Sequence, residues 1–149
     1  MAQIALNPIR LSNVLLRIVG GDGGGDFEKH VSQVEFTPST GSVEWKGMHP
    51  DAVFNFPTAT TWTATLAYAQ DWTSSNSLSG YLFDNEGETV TMVFMPKYNS
   101  AEDASETNPA WRVNVTIVPG AIGGSVDSVA TAQVTLQVQG KPQRITTLA

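Results

Sequence analysis

The sequence predicts a mainly β fold of two packed antiparallel β-sheets, sandwich-like or barrel-like, with one flanking α-helix. The main observation is period-2 alternation of apolar and polar residues, which is typical of strands with one buried face. A second observation is that a single segment has the i, i+3, i+4 apolar spacing of a helix. A third is that the prolines from Pro38 onward fall between the alternating runs or at their ends, where a missing N–H leaves the strand ladder intact.

The predicted strands follow from this alternation. Residues 62–68, 111–118 and 133–139 each place apolar side chains on one face, and the last run opposes them with uncharged polar ones. Residues 89–95 begin by alternating and end apolar on both faces, which predicts a contact on the second side as well. Further strands are expected over residues 11–19, 27–36, 43–46 and 53–56.

One helix is predicted near residues 74–86. Leu78, Tyr81 and Leu82 have helical spacing, serine and asparagine residues before them can cap the N-terminus, and Gly87 can end the helix. The pattern therefore predicts about three turns that lie across a sheet.

Length and composition predict one domain over residues 1–149. With 41% apolar and 15% charged residues, the chain suits a packed globule, and its lack of cysteine suits folding in a reducing cytosol. The N-terminal residues lack the pattern of a secretory signal, and no apolar run approaches the ~18 residues of a membrane span. The net charge of −6 disfavours nucleic-acid binding, because proteins that grip DNA present basic surfaces.

A loop of glycines and aspartates at residues 20–26 is the first candidate site. A phosphate-binding loop needs lysine and then serine or threonine after the glycines, whereas Asp26 follows here. An EF-hand calcium loop that starts at Asp22 needs glutamate where Gln33 stands, and the β-helix calcium repeat needs aspartate where Gly25 stands. The loop therefore predicts a mobile connection between strands, with no cofactor and no metal.

The sequence offers no catalytic residue. His30 and His49 lack the HExxH and HxH spacings of metal sites, and GGSVD at residues 123–127 lacks the closing glycine of a nucleophile elbow. Trp62 and Trp111 align with the apolar faces of strands, so we expect them in the core rather than on a sugar-binding platform. These observations predict that the protein is not an enzyme.

Several segments, in order along the chain, resemble the major tail tube proteins of long-tailed, non-contractile bacteriophages. The resemblance covers about residues 27–142 and is carried by FEKHVSQVEFTPS, VEWKGMHP, TWTATLAYAQDW, SLSGYLFDNEGETVTMVFMP and VNVTIVPGAIGGSVDSVATAQVTLQVQGKP. Its most specific parts are the QDW segment that leads into the predicted helix and PGAIGG at residues 119–124. The glycine loop departs from the family, whose members vary there in length and composition.

The resemblance implies a structural virion protein, made in the host cytoplasm, that self-assembles into stacked hexameric rings. In this family the inner sheets of a ring merge into one barrel, and the stacked rings form the tail tube through which DNA is ejected without specific binding. The implied partners are other copies of the chain and the tape measure, terminator and distal tail proteins; no cofactor is implied. An N-terminal arm (1–9), the glycine loop (20–26) and a C-terminal arm (140–149) are the expected bridges between rings.

Contacts between rings are therefore the expected role of the glycine loop. Its glycines would become ordered on stacking, and its aspartates would meet a basic residue of the next ring, with Lys29 among the candidates. Replacing the loop glycines with alanine is then expected to impair assembly more than folding. The predicted contact residues are Gly21, Asp22, Gly24, Asp26, Arg10 and Arg144.

Two uncharged polar strand faces are expected to line the lumen of the tube or a seam between subunits. Six copies of a chain with a net charge of −6 also predict a negative lumen that repels DNA phosphates. The predicted lumen or seam residues are Thr61, Thr63, Thr65, Gln133, Gln137 and Gln139.

Other assignments stay open. A tail terminator and the inner tube protein of a contractile phage reuse this kind of fold. A carbohydrate-binding or immunoglobulin-like adhesion module shares the β-sandwich architecture, and Trp45 and Trp72 exposed side by side on one flat face would favour it.

Overall fold

The computed structural model describes residues 2–98 and 104–147 of the 149-residue chain. These residues form ten strands and one helix. The elements are β1 (Leu15–Val19), β2 (Gly24–Asp26), β3 (Val31–Ser39), β4 (Ser42–Lys46), β5 (Val53–Pro57), β6 (Thr61–Ala69), α1 (Leu78–Asp84), β7 (Thr89–Met95), β8 (Ala110–Thr116), β9 (Thr131–Val138) and β10 (Gln143–Ile145).

The strands form two antiparallel sheets. The large sheet has the order β2-β1-β7-β8-β9-β6-β3, with β10 paired to β8, and the small sheet is the β4–β5 hairpin. The mainly β fold with two antiparallel sheets and one helix is thereby confirmed. Two strands were not predicted, because Gly24–Asp26 and Gln143–Ile145 are too short and polar to show alternation.

The large sheet is strongly curved. Four strand spacings separate β7 from β3, which would be about 19 Å in a flat sheet. The rings of Phe94 on β7 and Phe36 on β3 nevertheless meet edge to face, with centroids 5.9 Å apart. The sheet therefore bends round its own apolar face, but β2 and β3, which end its main strand order in the described residues, do not pair with each other.

The main core lies inside this curve. The inward side chains of β1, β6, β7, β8 and β9 pack into one cluster, and α1 lies against it through Leu78, Tyr81 and Leu82. Burying each such side chain contributes about 1.5–3 kcal/mol. The fully buried members on the strands include Leu16, Ile18, Leu66, Met92, Val115 and Leu136.

A smaller apolar cluster lies on the opposite side of the sheet. It consists of Leu15, Met95, Ala104 and Ala110, with Ile145 of β10 packed against it. The expected second contact of residues 89–95 is thus confirmed, and it explains why that strand ends apolar on both faces.

The helix is shorter than the predicted 74–86, and this boundary was wrong. Ser77 caps the N-terminus by accepting a bond from the Gly80 N–H, and Asn85 is the C-cap. The preceding residues are held in a turn by the carboxylate of Asp71, which accepts hydrogen bonds from the N–H groups of Thr73 and Ser74. Serine and aspartate side chains thus compete with helix formation in this segment.

Candidate assembly surfaces

The β4–β5 hairpin exposes an apolar face. Its register pairs Val43 with Phe56 and Trp45 with Phe54, which places all four side chains on one side of the ribbon. Each remains between 52% and 59% exposed. Exposed apolar patches of this kind mark sites of interaction on soluble proteins. We refer to these four residues as the hairpin apolar face.

The hairpin is well defined despite its exposure. At its base the hydroxyls of Thr40 and Thr60 lie 2.7 Å apart, and the N–H of Gly41 donates to the hydroxyl of Thr58. On the side opposite the apolar face, Lys46 and Glu44 form an ion pair of 3.2 Å. The sequence predicted both strands, but their period-2 pattern did not show that they form a separate sheet with an uncovered face.

A second apolar surface lies at the open end of the curved sheet, between β3 and β6 on one side and β7 and β8 on the other. Its aromatic lining comes from four different strands, and the cavity has a volume of about 770 Å³. Trp62 and Trp111 lie on the core-facing side of their strands as predicted, but each is only half-buried because it stands at the open end. We call this cavity the aromatic groove, lined by Phe36, Trp62, Phe94, Pro96, Trp111 and Pro142, with Lys141 and Arg144.

The predicted lumen residues lie together on the outer face of the large sheet. Thr63 pairs with Gln137, and Thr65 stands beside Thr135 of the same neighbouring strand. Gln139 continues this surface, because its side-chain amide donates to the Thr116 hydroxyl at 3.0 Å. The two stretches that the sequence singled out therefore form one surface, the polar face, which includes Thr61, Thr63, Thr65, Gln133, Gln137 and Gln139.

Charged side chains are few at the strand positions around the polar face. Register places two acids and two bases on this side of the sheet: Glu35, Asp26, Arg17 and Arg112. Two of them neutralise each other, since Arg17 Nε lies 2.8 Å from Asp26 Oδ1, and this hydrogen bond raises the pKa of Arg17. The charges on the described strands of this side therefore balance, and the negative lumen stays a prediction because it depends on the assembled tube.

The glycine loop is tied to its own domain rather than extended. Gly24–Asp26 form β2 and pair with β1, and the hydroxyl of Tyr81 donates to the Gly20 carbonyl at 2.8 Å. The N–H of Asp22 donates to Asn85 Oδ1, also at 2.8 Å. The helix supplies these partners, which lie 61 to 63 residues away in the chain, and the mobility of the loop stays a prediction.

The basic residues predicted to meet this loop lie elsewhere. Arg10 and Lys29 are exposed, and Arg144 donates to the Glu106 carbonyl at 3.0 Å. Asp26 has Arg17 as its partner within the chain. Contacts of these residues with another ring therefore remain predictions.

The predicted arms have different structures. The described part of the N-terminal arm is exposed and forms neither helix nor strand, and it presents Ile4 and Leu6 to solvent. The C-terminal arm begins shortly after β9, and its residues Gln143–Ile145 form β10, which pairs with β8. Residue 1 and residues 148–149, also assigned to the arms, lie outside the described residues.

The two exposed tryptophans belong to separate aromatic pairs. Trp45 lies beside Phe54 on the hairpin with ring centroids 6.1 Å apart, whereas Trp72 meets Phe83 of α1 edge to face at 6.3 Å.

Within residues 2–98 and 104–147, no cluster of three or more histidine, aspartate or glutamate side chains is arranged to hold a metal ion. No described helix is long and apolar enough to cross a membrane.

Solved structures share this fold. One is a chain of the sheath–tube complex of PVC, an extracellular contractile injection system, in the extended state, with 14% identity, a TM-score of 0.58 and 93% of each chain covered. Another is a chain of the 6-fold symmetrised baseplate of the anti-feeding prophage (AFP), with 11% identity, a TM-score of 0.55 and 97% of each chain covered. No family model and no curated protein matches the sequence. The comparisons support the tail-tube-like fold, while membership of the non-contractile phage family stays a prediction.

Proposed function

We propose that this protein is a structural subunit whose copies join into hexameric rings that stack into a tail tube. The observation that carries the proposal is the open, curved sheet. Its edge strand β3 is nine residues long and has only β6 as a partner in the described residues. A long unpaired edge is a template for another strand, and pairing it with a neighbouring copy would continue the sheet around a ring.

The polar face supports a conduit role for the ring. Threonine, glutamine and asparagine side chains on this face already bond to one another, as Thr91 does to Asn114 and Gln139 to Thr116. Polar groups that already bond to one another leave a passing polymer fewer sites to bind. In a phage tail the polymer would be DNA, which would be ejected through the virion tube without specific binding.

The solved relatives favour the contractile alternative for the kind of tail. The PVC structure is a sheath–tube complex of a contractile injection system. The AFP structure is a 6-fold symmetrised baseplate of an anti-feeding prophage. We therefore propose that the protein forms the tube of a tail-like particle. The particle is either a non-contractile phage tail or a contractile system, in which the protein would form the inner tube. The proposed partners are copies of the chain and other tail proteins, and no catalytic role is proposed.

Electron microscopy of the purified protein tests the proposal. We expect sixfold rings and stacked tubes whose number grows with protein concentration. Rings that never stack would assign the protein to the terminators instead. A monomer that persists at every concentration, together with retention on carbohydrate affinity gels, would overturn the proposal in favour of an adhesion module.

A further inference from the structure

We infer that the hairpin apolar face of one copy docks into the aromatic groove of a second copy. This inference rests on the proposed self-assembly and names the two surfaces that would meet. It is carried by three features on the structure: the exposed face, a cavity of matching chemistry, and opposite charges around the two.

The hairpin does not reach the groove of its own chain. It leaves β3 after Ser39 and returns into β6 at Thr61, so its base lies only a few residues from the groove residues Phe36 and Trp62. The base is fixed by the Thr40–Thr60 hydroxyl contact, and the arm beyond it spans about 16 Å at 3.3 Å per residue. All four apolar side chains remain about half exposed in this chain, so they are accessible to another molecule.

The groove has the chemistry that this face requires. Its aromatic and proline side chains surround about 770 Å³, within the roughly 300–1,000 Å³ of pockets that enclose drug-sized molecules. Trp45 and Phe54 are adjacent on the hairpin and tilted by 35° to each other, so they present one broad aromatic surface. Aromatic pairs gain from offset and edge-to-face contacts in addition to their buried area.

The charges around the two surfaces are complementary. Lys141 and Arg144 are exposed among the groove-lining residues. On the polar side of the hairpin Glu44 is already paired with Lys46, so the acid that faces the groove charges is Asp51 at the tip, whose carboxylate is 95% exposed. Opposite charges at the edge of an apolar contact fix its orientation and speed the encounter of the partners.

The contact has a consequence for the form of the assembly. The hairpin apolar face and the aromatic groove are different surfaces, so the contact is head to tail, and each copy keeps one free hairpin and one free groove. Such contacts propagate into rings or stacks instead of ending at a dimer.

Disulfide trapping tests the contact directly, because the native chain has no cysteine. A chain with Phe54→Cys and Trp111→Cys should give a ladder of disulfide-linked oligomers on oxidation. The matched control combines Phe54→Cys with Thr65→Cys on the polar face and should give no ladder. Dimers from the single variant Phe54→Cys would show that hairpins pack against each other. If a ladder forms from Leu6→Cys with Trp111→Cys but not from Phe54→Cys with Trp111→Cys, the N-terminal segment occupies the groove. Either result overturns the inference.

Complementation tests the head-to-tail geometry. Trp45→Ser with Phe54→Ser removes the hairpin surface, and Lys141→Glu with Arg144→Glu reverses the groove charge; all four side chains are exposed, so both chains should fold as the wild type does in circular dichroism. We expect each variant to need about 30-fold more protein to assemble, the effect of losing about 2 kcal/mol of contact energy. A mixture of the two should restore one hairpin–groove contact for each pair of copies, so it should assemble at a lower protein concentration than either variant alone.

The outcomes separate this inference from the proposed function. If the wild type forms tubes and the hairpin variant does so at the same concentration, the docking is wrong and the structural role stands. If the wild type never associates, both fail.

Discussion

The hydroxyl of Tyr81 on α1 donates a hydrogen bond of 2.8 Å to the carbonyl oxygen of Gly20. This bond joins the helix to the glycine loop across the end of the sheet. Asn85, a buried residue at the end of α1, holds the N–H of Asp22 in the same way. Both anchors come from side chains, and they make the loop part of the folded domain.

Tyr81→Phe should lower the free energy of unfolding by about 1 kcal/mol, because the Gly20 carbonyl loses its partner while the ring stays packed. Chemical denaturation measures this loss, and hydrogen exchange should quicken at residues 20–23. Tyr98→Phe removes the same atom from the second apolar cluster and should leave exchange in the glycine loop unchanged. Equal exchange in the Tyr81→Phe chain would mean that the anchor does not hold the loop.

Gly24→Ala should destabilise the monomer by about 1–3 kcal/mol, since its φ of +125° is strained for any side chain. A Cβ there would also lie 2.6 Å from the Ile18 carbonyl oxygen. Gly124→Ala is the control, because its nearest new contact is an ordinary 3.5 Å, and it should change the unfolding free energy by less than about 0.5 kcal/mol. Gly24 is one of the five glycines whose replacement is predicted to impair assembly more than folding, and that comparison stays a prediction.

Gln70→Ala should release the long connection before β9. Its amide donates to the Gly123 and Thr131 carbonyls at 2.9 and 3.0 Å, and its oxygen accepts from the Gly123 N–H at 2.9 Å. We expect a loss of roughly 1–2 kcal/mol and faster proteolysis within residues 120–130. Gln133→Ala on the polar face should leave the cleavage rate unaltered. If Gln70→Ala is cleaved at the wild-type rate, the Gln70 side chain does not hold this connection in place.

Asp71 predicts a defined pH dependence. A hydrogen bond from the Ser74 side chain, and others from Thr73, lower the pKa of Asp71 to about 2. Because the folded pKa lies below the ordinary value of 3.8, the stabilisation is fully present above about pH 4 and is lost as the pH falls through 2.

The comparison of the wild type with Asp71→Asn measures this effect, because the variant keeps the acceptor oxygen and removes the charge. The variant should melt below the wild type at pH 6, and the two melting temperatures should converge towards pH 2. Asp127→Asn makes the same change in net charge and controls for it. A gap between wild type and Asp71→Asn that stays constant from pH 6 to pH 2 would contradict the role of the carboxylate.

The exposure of the aromatic groove and of the hairpin apolar face could not be predicted from the sequence. The alternation correctly placed Trp62 and Trp111 on core-facing sides, yet it gave no sign that both stand at an open end. Likewise, strands 43–46 and 53–56 were predicted, but not their register or their uncovered face. A period-2 pattern tells which residues of one strand share a face, whereas exposure depends on which strand or helix lies opposite.

The sequence by itself determined eight of the ten described strands, the single helix with its apolar stripe, and the two polar runs of Thr61–Thr65 and Gln133–Gln139, because these depend on local side-chain spacing. Only the tertiary structure decided that β6 and β9 are neighbours, so that those runs form one surface. It also decided the curvature, the pairing of Arg17 with Asp26 and the anchoring of the glycine loop to α1. These features are set by pairing between residues far apart in the chain, and no local pattern encodes such pairing.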